Sequence, residues 1–502
     1  MKMTSSLTMI KKCHDKVQKN LDSDVYFMLK TPMGKRPLIR KLMPAIVVPV
    51  ILAAMVLFMA AVAAHCEINE QPANVVNLNV VTLKDAIEAA LRDNHRVRAG
   101  RWASEALKKD VNIAWGSLLP KLEFEESYAN TNNPSYYFMS KLVQGRFASA
   151  DMNNLKNPEP INNYRTNFKF EMPVFSLKAY IAIDMANVRA EGRELQQRRL
   201  EETTVLDVFK AYTAVKTAKA YKTAADKGLE DATEHMRLAK TRLDNSIGLH
   251  SDVLQAQTAL SEARMRFVSA EKNLNLARLS LGLMMGADQL FDSAEENIDF
   301  TPAAPEEYLK GAMGRADVAA MEKNHENAQQ SVQMAKAEYL PSIGIGGNYQ
   351  MNEHRYPLGD EGKSYYFGVF MKLNVFDGFR RESQLAKARL EAAEAGEHLS
   401  GMKQQAAYEV YEALMTLDES QKRLALTQDA LSAALEGVRL IEKRYASSLA
   451  PMVSLIDAQT ALDKVRADAA AAQGQYFISA ALLEYTGGRI LDFFGVNNSG
   501  RK

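Results

Sequence analysis

The sequence predicts a mainly α-helical fold with a β contribution, laid down twice along one chain. Three observations carry that expectation. The phrase Ala-Gln-Thr-Ala-Leu stands at 256–260 and again at 458–462, an offset of 458 − 256 = 202. Uninterrupted helical patterning runs for roughly 70 residues in each half, far beyond an ordinary globular helix. Four segments of about ten residues alternate large apolar with polar side chains, the period of a half-buried strand.

The repeat extends well past that phrase. Val208 matches Val410, Ala211 matches Ala413, Arg242 matches Arg444 and Ser246 matches Ser448, all at the same offset. Upstream, Met-Pro-Val-Phe-Ser at 172–176 parallels Leu-Asn-Val-Phe-Asp at 373–377, and Leu-Pro at 119–120 parallels Leu-Pro at 340–341. The organisation expected is an N-terminal extension and export signal over 1–64, a first repeat over 80–290, a second over 300–490 and a tail over 491–502.

At the N-terminus, Lys35, Arg36, Arg40 and Lys41 precede an apolar run over about 42–64 that ends near Ala61-Val62-Ala63. That is the pattern of a secretory signal peptide, with Met33 as the expected start. The run is also long enough for a membrane anchor, which stands as the alternative. Cys66 follows closely and is a candidate lipid-attachment site. His65 occupies the place where a small residue is usual, so a free thiol is the other reading. Cys13 and Cys66 make neither a disulfide framework nor a zinc motif.

Each repeat opens with a helix. Thr82, with Asp85 three positions on, is the expected N-cap of one that continues to Pro120. Two extended segments follow. Leu122, Phe124 and Tyr128 share one parity against Lys121, Glu123 and Glu125; Phe168, Phe170, Met172 and Val174 share one against Asn167, Lys169 and Glu171. In the second repeat Ile343 and Ile345 alternate with glycine, and odd positions from Tyr365 to Val375 are apolar, with Tyr366 and Phe370 interrupting. An exposed soluble sheet edge would alternate too, but aromatic content and length suit a barrel between lipid and water. Four strands cannot close a barrel, and open edges in lipid cost several kcal/mol per unpaired group. If the strands span a membrane, several copies must share one barrel, and three copies would supply 3 × 4 = 12 strands.

The long helix expected from Ser176 to about Asn245 would span on the order of 100 Å. Val205, Val208, Tyr212 and Val215 are spaced 3, 4, 3, as in a coiled-coil seam. Breaks at 245–250 and 447–452 turn the chain into return helices. Small and charged residues around the seam fit a helical wall wet on both sides, or equally a solid bundle.

Charge is balanced, 62 Lys+Arg against 61 Asp+Glu, which gives no field for nucleic acid. The eight histidines form no His-x-x-x-His pair, so no metal and no cofactor is expected. No nucleophile elbow, P-loop or dinucleotide fingerprint marks an enzyme.

Residues 375–395, the two Leu-Pro strand starts and the paired tip phrases resemble the outer-membrane efflux protein family, over about 80–488. The resemblance implies a homotrimer sharing a 12-stranded transmembrane barrel in outer-membrane lipid, with a coiled-coil-like helical tunnel in the periplasm of a Gram-negative cell. It implies a passive exit duct of a tripartite efflux or type I secretion system. Its partners would be a periplasmic adaptor and an inner-membrane pump of RND, ABC or MFS type. At the gate, Tyr445 would donate a hydrogen bond to Asp252, and Asp457 would line the pore. Ser454 and Ala450 depart from the residues that relatives place there. Arg242, Ile247, Gly248, Leu249, Arg444 and Ser448 fall on the adaptor-contacting tips. The segment 129–160 would face the cell exterior. A soluble periplasmic coiled-coil adaptor or scaffold is the competing class, and the strands argue against it.

Overall fold

A computed structural model describes residues 80–296 and 300–496. The export signal, Met33, Cys66 and tail residues 497–502 lie outside the described residues. No helix among the described residues is long and apolar enough to cross a membrane.

The chain enters through a short strand β1 (Val80–Val81) and turns into helix α1 (Leu83–Asp93). Thr82 caps it, its hydroxyl accepting from the Asp85 amide at 3.1 Å. The single helix expected as far as Pro120 is two. Asn94 breaks it at ψ 125° and caps α2 (His95–Gly116), its side-chain oxygen accepting from Arg96 and Val97. Its amide donates to the Met284 carbonyl at 2.8 Å, so the break is also an anchor.

Strand β2 (Lys121–Thr131) is followed by helix α3 (Pro134–Val143), a 3-10 turn over Ser149–Asn154 and strand β3 (Ile161–Phe175). Helix α4 (Leu177–Asp244, 68 residues) runs to a turn and returns as α5 (His250–Met285). A short strand β4 (Asp292–Ser293) pairs in parallel with β1. The second half then repeats the plan: α6 (Pro305–Met313), α7 (Ala316–Ala337), β5 (Ser342–Glu353), β6 (Gly362–Lys372), α8 (Arg380–Ala446, 67 residues) and α9 (Met452–Thr486), before a last turn of helix α10 (Ile490–Phe493).

The four long strands form one antiparallel sheet in the order β2-β3-β5-β6, so the two halves meet at β3–β5. Register lines up Phe124, Phe168, Tyr349 and Tyr365 in one row across all four strands. This face is exposed: Leu122 at 82%, Tyr365 at 83%, Phe367 at 67%. The opposite face carries rows such as Glu123–Lys169–Asn348 and Glu125–Asn167–Gln350–Ser364. Tyr366 and Phe370 lie on this polar face, their rings 6.0 Å apart, in room that Gly346 and Gly368 leave. The alternation through Leu373 and Val375 does not extend the strand. Arg381 takes the carbonyls of Asn374 (2.8 Å) and Val375 (3.1 Å), which therefore leave the ladder.

The core sits where α4 meets α1 and α5. Val205, Val208, Tyr212 and Val215 are all at 0% exposure, packed with Leu83, Ile87, Leu274 and Leu281. The 3, 4, 3 seam is thus an intrachain core line, and the Tyr212 hydroxyl ties it to the Ala294 carbonyl at 3.1 Å. A second core joins Tyr308 and Val318 to Val410, Ala413 and Leu483. Between them Arg315, almost fully buried, holds Asp317 (2.6 Å) and Glu409 (2.5 Å), while Arg199 stacks 3.7 Å from the Tyr485 ring and pairs with Glu202 at 2.9 Å. This network fastens the first half's long helix to the second half's.

Candidate gate and docking tips

The sheet adjoins the start of α4 and the tip lies at its end, so the two are separated by about 100 Å of helix at 1.5 Å per residue. At the tip, α4 ends with its Asn245 amide on the Thr241 carbonyl; Ser246 N–H then bonds Leu243 O at 2.9 Å and Ile247 N–H bonds Arg242 O at 3.0 Å. The end of α8 does the same, with Ser448 on Tyr445 O at 3.0 Å and Leu449 on Arg444 O at 2.7 Å. Both are Schellman turns. Such a turn usually puts glycine at the left-handed position, but here Ser246 (φ 62°) and Ser448 (φ 59°) occupy it. Gly248 serves a different need: a Cβ there would lie 2.7 Å from the Leu243 nitrogen.

The two tips of one chain pack on each other through Ala239, Ala256, Tyr445, Met452 and Leu455. The first copy of the repeated phrase supplies Ala256, close after the turn, and the second supplies Gln459 and Leu462, also buried. Across this small core Arg242 forms the main polar link. Its guanidinium donates to the carbonyls of Tyr445 (2.7 Å) and Ala446 (3.4 Å) and to the Ser448 hydroxyl (2.6 Å), and lies 4.8 Å from the Tyr445 ring centroid.

The hydrogen bond expected from Tyr445 to Asp252 is not made within the chain. The Tyr445 hydroxyl is buried and has no hydrogen-bond partner among the described residues. Burial, and then the charge of half-buried Asp252, push that hydroxyl above its ordinary value, with Arg242 opposing. Asp457 stands exposed on α9, with Ser454 half-buried one turn before it. Arg444 is exposed, and Ile247, Leu249 and Leu449 project apolar side chains into solvent at 66%, 66% and 70%. Leu449 was not singled out in the sequence, although the 202 offset maps it onto Ile247.

Sequence reasoning also missed a polar cluster nearer the sheet. Gln459 donates to Asp231 (2.9 Å) and Asp463 (3.0 Å), and Arg466 pairs with Asp231 at 3.2 Å. Burial pushes the Asp463 carboxyl up, with Gln459, Arg266 and Arg466 opposing. Asp463 fits against Gly228, where a Cβ would lie 2.9 Å from its Oδ2. These residues are far apart in sequence and no local pattern joins them.

Glu353, His354 and Glu361 bring three metal-capable atoms within 4.8 Å of one another at the β5–β6 turn, a grouping that no metal-ligand spacing in the sequence marks. Their contacts read as a hydrogen-bonded loop anchor. His354 Nδ1 lies 2.6 Å from Glu361 and 3.1 Å from Glu353, Arg355 donates to His354 Nε2 at 3.0 Å, and Glu353 also accepts the His354 and Arg355 amides.

Solved structures share this architecture. The chain superposes on CusC with a TM-score of 0.70 at 15% identity, covering 81% of this chain and 92% of that one. It superposes on the outer membrane protein VceC of Vibrio cholerae with a TM-score of 0.67 at 19% identity, covering 81% and 96%. The chain thus has the fold of these structures, two pairs of long helices carrying one four-stranded antiparallel sheet. Within that fold class the chain belongs to the outer membrane efflux protein family, whose sequence profile matches residues 86–287 and 312–488. Curated relatives include the outer membrane efflux protein BepC of Brucella suis (23% identity, 64% of this chain and 71% of the relative). They also include the proteases secretion protein PrtF of Dickeya chrysanthemi (19%, 72% and 79%).

Proposed function

We propose that three copies of the chain close one 12-stranded barrel and form a passive exit duct that an inner-membrane pump feeds through a periplasmic adaptor. One observation carries the trimer: the four-stranded sheet has an exposed aromatic face and a polar face, and both β2 and β6 are edge strands. In hydrocarbon those edges must be paired, and further copies are the simplest source of partners. Residues 80–290 and 300–490 serve as the two repeats, each giving two strands and one tip.

Six tips would then ring the tunnel entrance. Ile247, Gly248, Leu249, Arg444 and Ser448 form the docking surface for adaptor helices, with Leu449 added. Arg242 latches the two tips of each chain, a role the sequence reading had given to Asp252. Asp457 from each chain faces the axis, where three carboxylates favour cations and repel anions. Relatives named for efflux and for protease secretion both match the chain, so the cargo would be small molecules or proteins.

Planar-bilayer recording on the detergent-extracted protein tests this reading. The expected result is a channel from a three-chain particle, blocked by multivalent cations, with weaker block in Asp457→Ala. A monomer that stays in water without detergent and conducts nothing would overturn it; equal block in parent and variant would remove Asp457 from the pore.

A further inference from the structure

The two halves differ most between their strands. The second hairpin is closed by residues 354–361, the first by residues 132–160, which fold on their own terms. Asn133 caps α3, its side chain accepting from the Ser135 and Tyr136 amides. Asp151 gathers the rest: it accepts from the Ala148 amide (2.8 Å) and the Tyr137 hydroxyl (3.3 Å) and pairs with Lys141 at 3.4 Å. Phe138 and Phe147 meet edge to face at 5.1 Å. This is a built subdomain, with polar groups paired internally.

Its placement is informative. Gln144, 1% exposed, donates to the Asn162 carbonyl (2.8 Å) and to Asn163 Oδ1 (3.0 Å), and Asn163 reaches Asn352 at 3.4 Å. Gly362 is covered so closely that a Cβ would sit 1.7 Å from the Val143 carbonyl oxygen. By alternation Asn163, Asn352 and Gly362 belong to the polar face, with Lys169, Asn348 and Ser364. They are buried there, while Lys121, Glu123 and Glu125, on the same face nearer the helices, are exposed. The segment therefore covers the polar face, and only at the end away from the tunnel.

We infer that residues 132–160 narrow the outer mouth of the duct, forming a size-selective constriction separate from the periplasmic tips, with Gln144 as its positioning residue. The inference rests on the three-chain barrel, in which the polar face is the lumen face. Twelve strands about 4.8 Å apart and tilted by about 40° enclose a circle of roughly 24 Å. Three helices of about 10 Å diameter side by side need roughly 22 Å, so one such segment from each chain takes up most of the opening.

Ser364→Cys places a thiol on the polar face beneath the segment. Intact cells are treated with maleimide–polyethylene glycol of graded size, and the chain without the added cysteine gives the background. Small reagents should label it and large ones should not. Replacing 134–158 by a short turn should admit the large reagents. Gln144→Ala, which loses the two hydrogen bonds Gln144 donates and the one it accepts from Arg146 but keeps the fold, should speed their reaction about five-fold. The same size cut-off and rates in all three proteins would overturn the constriction. Labelling from outside occurs upstream of any tip gate, and native mass of the same samples reports the trimer. A three-chain particle with unchanged cut-off thus sinks only this inference, whereas absence of the particle sinks the duct itself.

Discussion

At the end of α4, Ser246 takes a φ of 62°, and 202 residues later, at the end of α8, Ser448 takes a φ of 59°. The same pairs of carbonyls accept the same pairs of amides. Side chains at matching positions nevertheless do different work. Arg242 crosses to the other tip and satisfies three acceptors, whereas Arg444 stays exposed. Gly248, pressed against the backbone of Arg242 and Leu243, is matched by Ala450; Leu249, which opens α5, is matched by Pro451, which opens α9. Local sequence is enough to rebuild a turn, but a brace needs a partner surface, and the two tips face different surroundings. In the proposed trimer the six tips would therefore form three pairs, with one braced contact inside each chain.

Breaking the brace should have the largest effect. Arg242→Ala should destabilise the paired tips by about 2–3 kcal/mol, through lost charge-assisted bonds and ring contact. Faster amide exchange over 445–450 and a wider resting conductance are the readouts. Arg444→Ala should stay within about 0.5 kcal/mol. Equal effects of the two would erase the asymmetry. Next, Gly248→Ala forces backbone apart and should cost about 1–2 kcal/mol, while Ala450→Gly should cost less than about 1 kcal/mol, both read by thermal unfolding. Ser246→Gly should stabilise by about 0.5–1 kcal/mol, because glycine bears positive φ without strain. Ser448→Gly also loses the hydroxyl that accepts from Arg242 and should fall below it, at about zero or a net loss; equal gains at both would mean that this bond adds nothing to the brace. Smallest is Tyr445→Phe. Its hydroxyl is buried without a hydrogen-bond partner among the described residues, so removal should be neutral to within about 0.5 kcal/mol and leave conductance unchanged. An opened channel would restore Asp252 as the latch.

Much of the fold was legible because it is written in short periods. Alternation marked all four strands, and the seam at Val205, Val208, Tyr212 and Val215 marked the core. The offset of 202 marked both tips. What escaped depends on contacts remote in sequence. Alternation through Leu373 and Val375 continues past the strand end, because only the folded chain brings Arg381 to those carbonyls. The break at Asn94 hides inside a helical pattern until Met284 supplies an acceptor. Of the site, the tip residues were legible by position, but the acceptors of Arg242 lie 203 to 206 residues away and left no local signal, and the bond expected from Tyr445 to Asp252 is not made within the chain. Gln144 and Asp151, in a segment with no repeat partner, offered no signal to compare.

The edges of the sheet give the most direct test. One cysteine in β2 and one in β6, stepped through successive registers, should cross-link between neighbouring chains in isolated outer membranes. The covalent ladder should stop at three chains, since three copies close the ring. A chain that never cross-links at any register, or a ladder that runs past three, would contradict the shared barrel on which the duct depends.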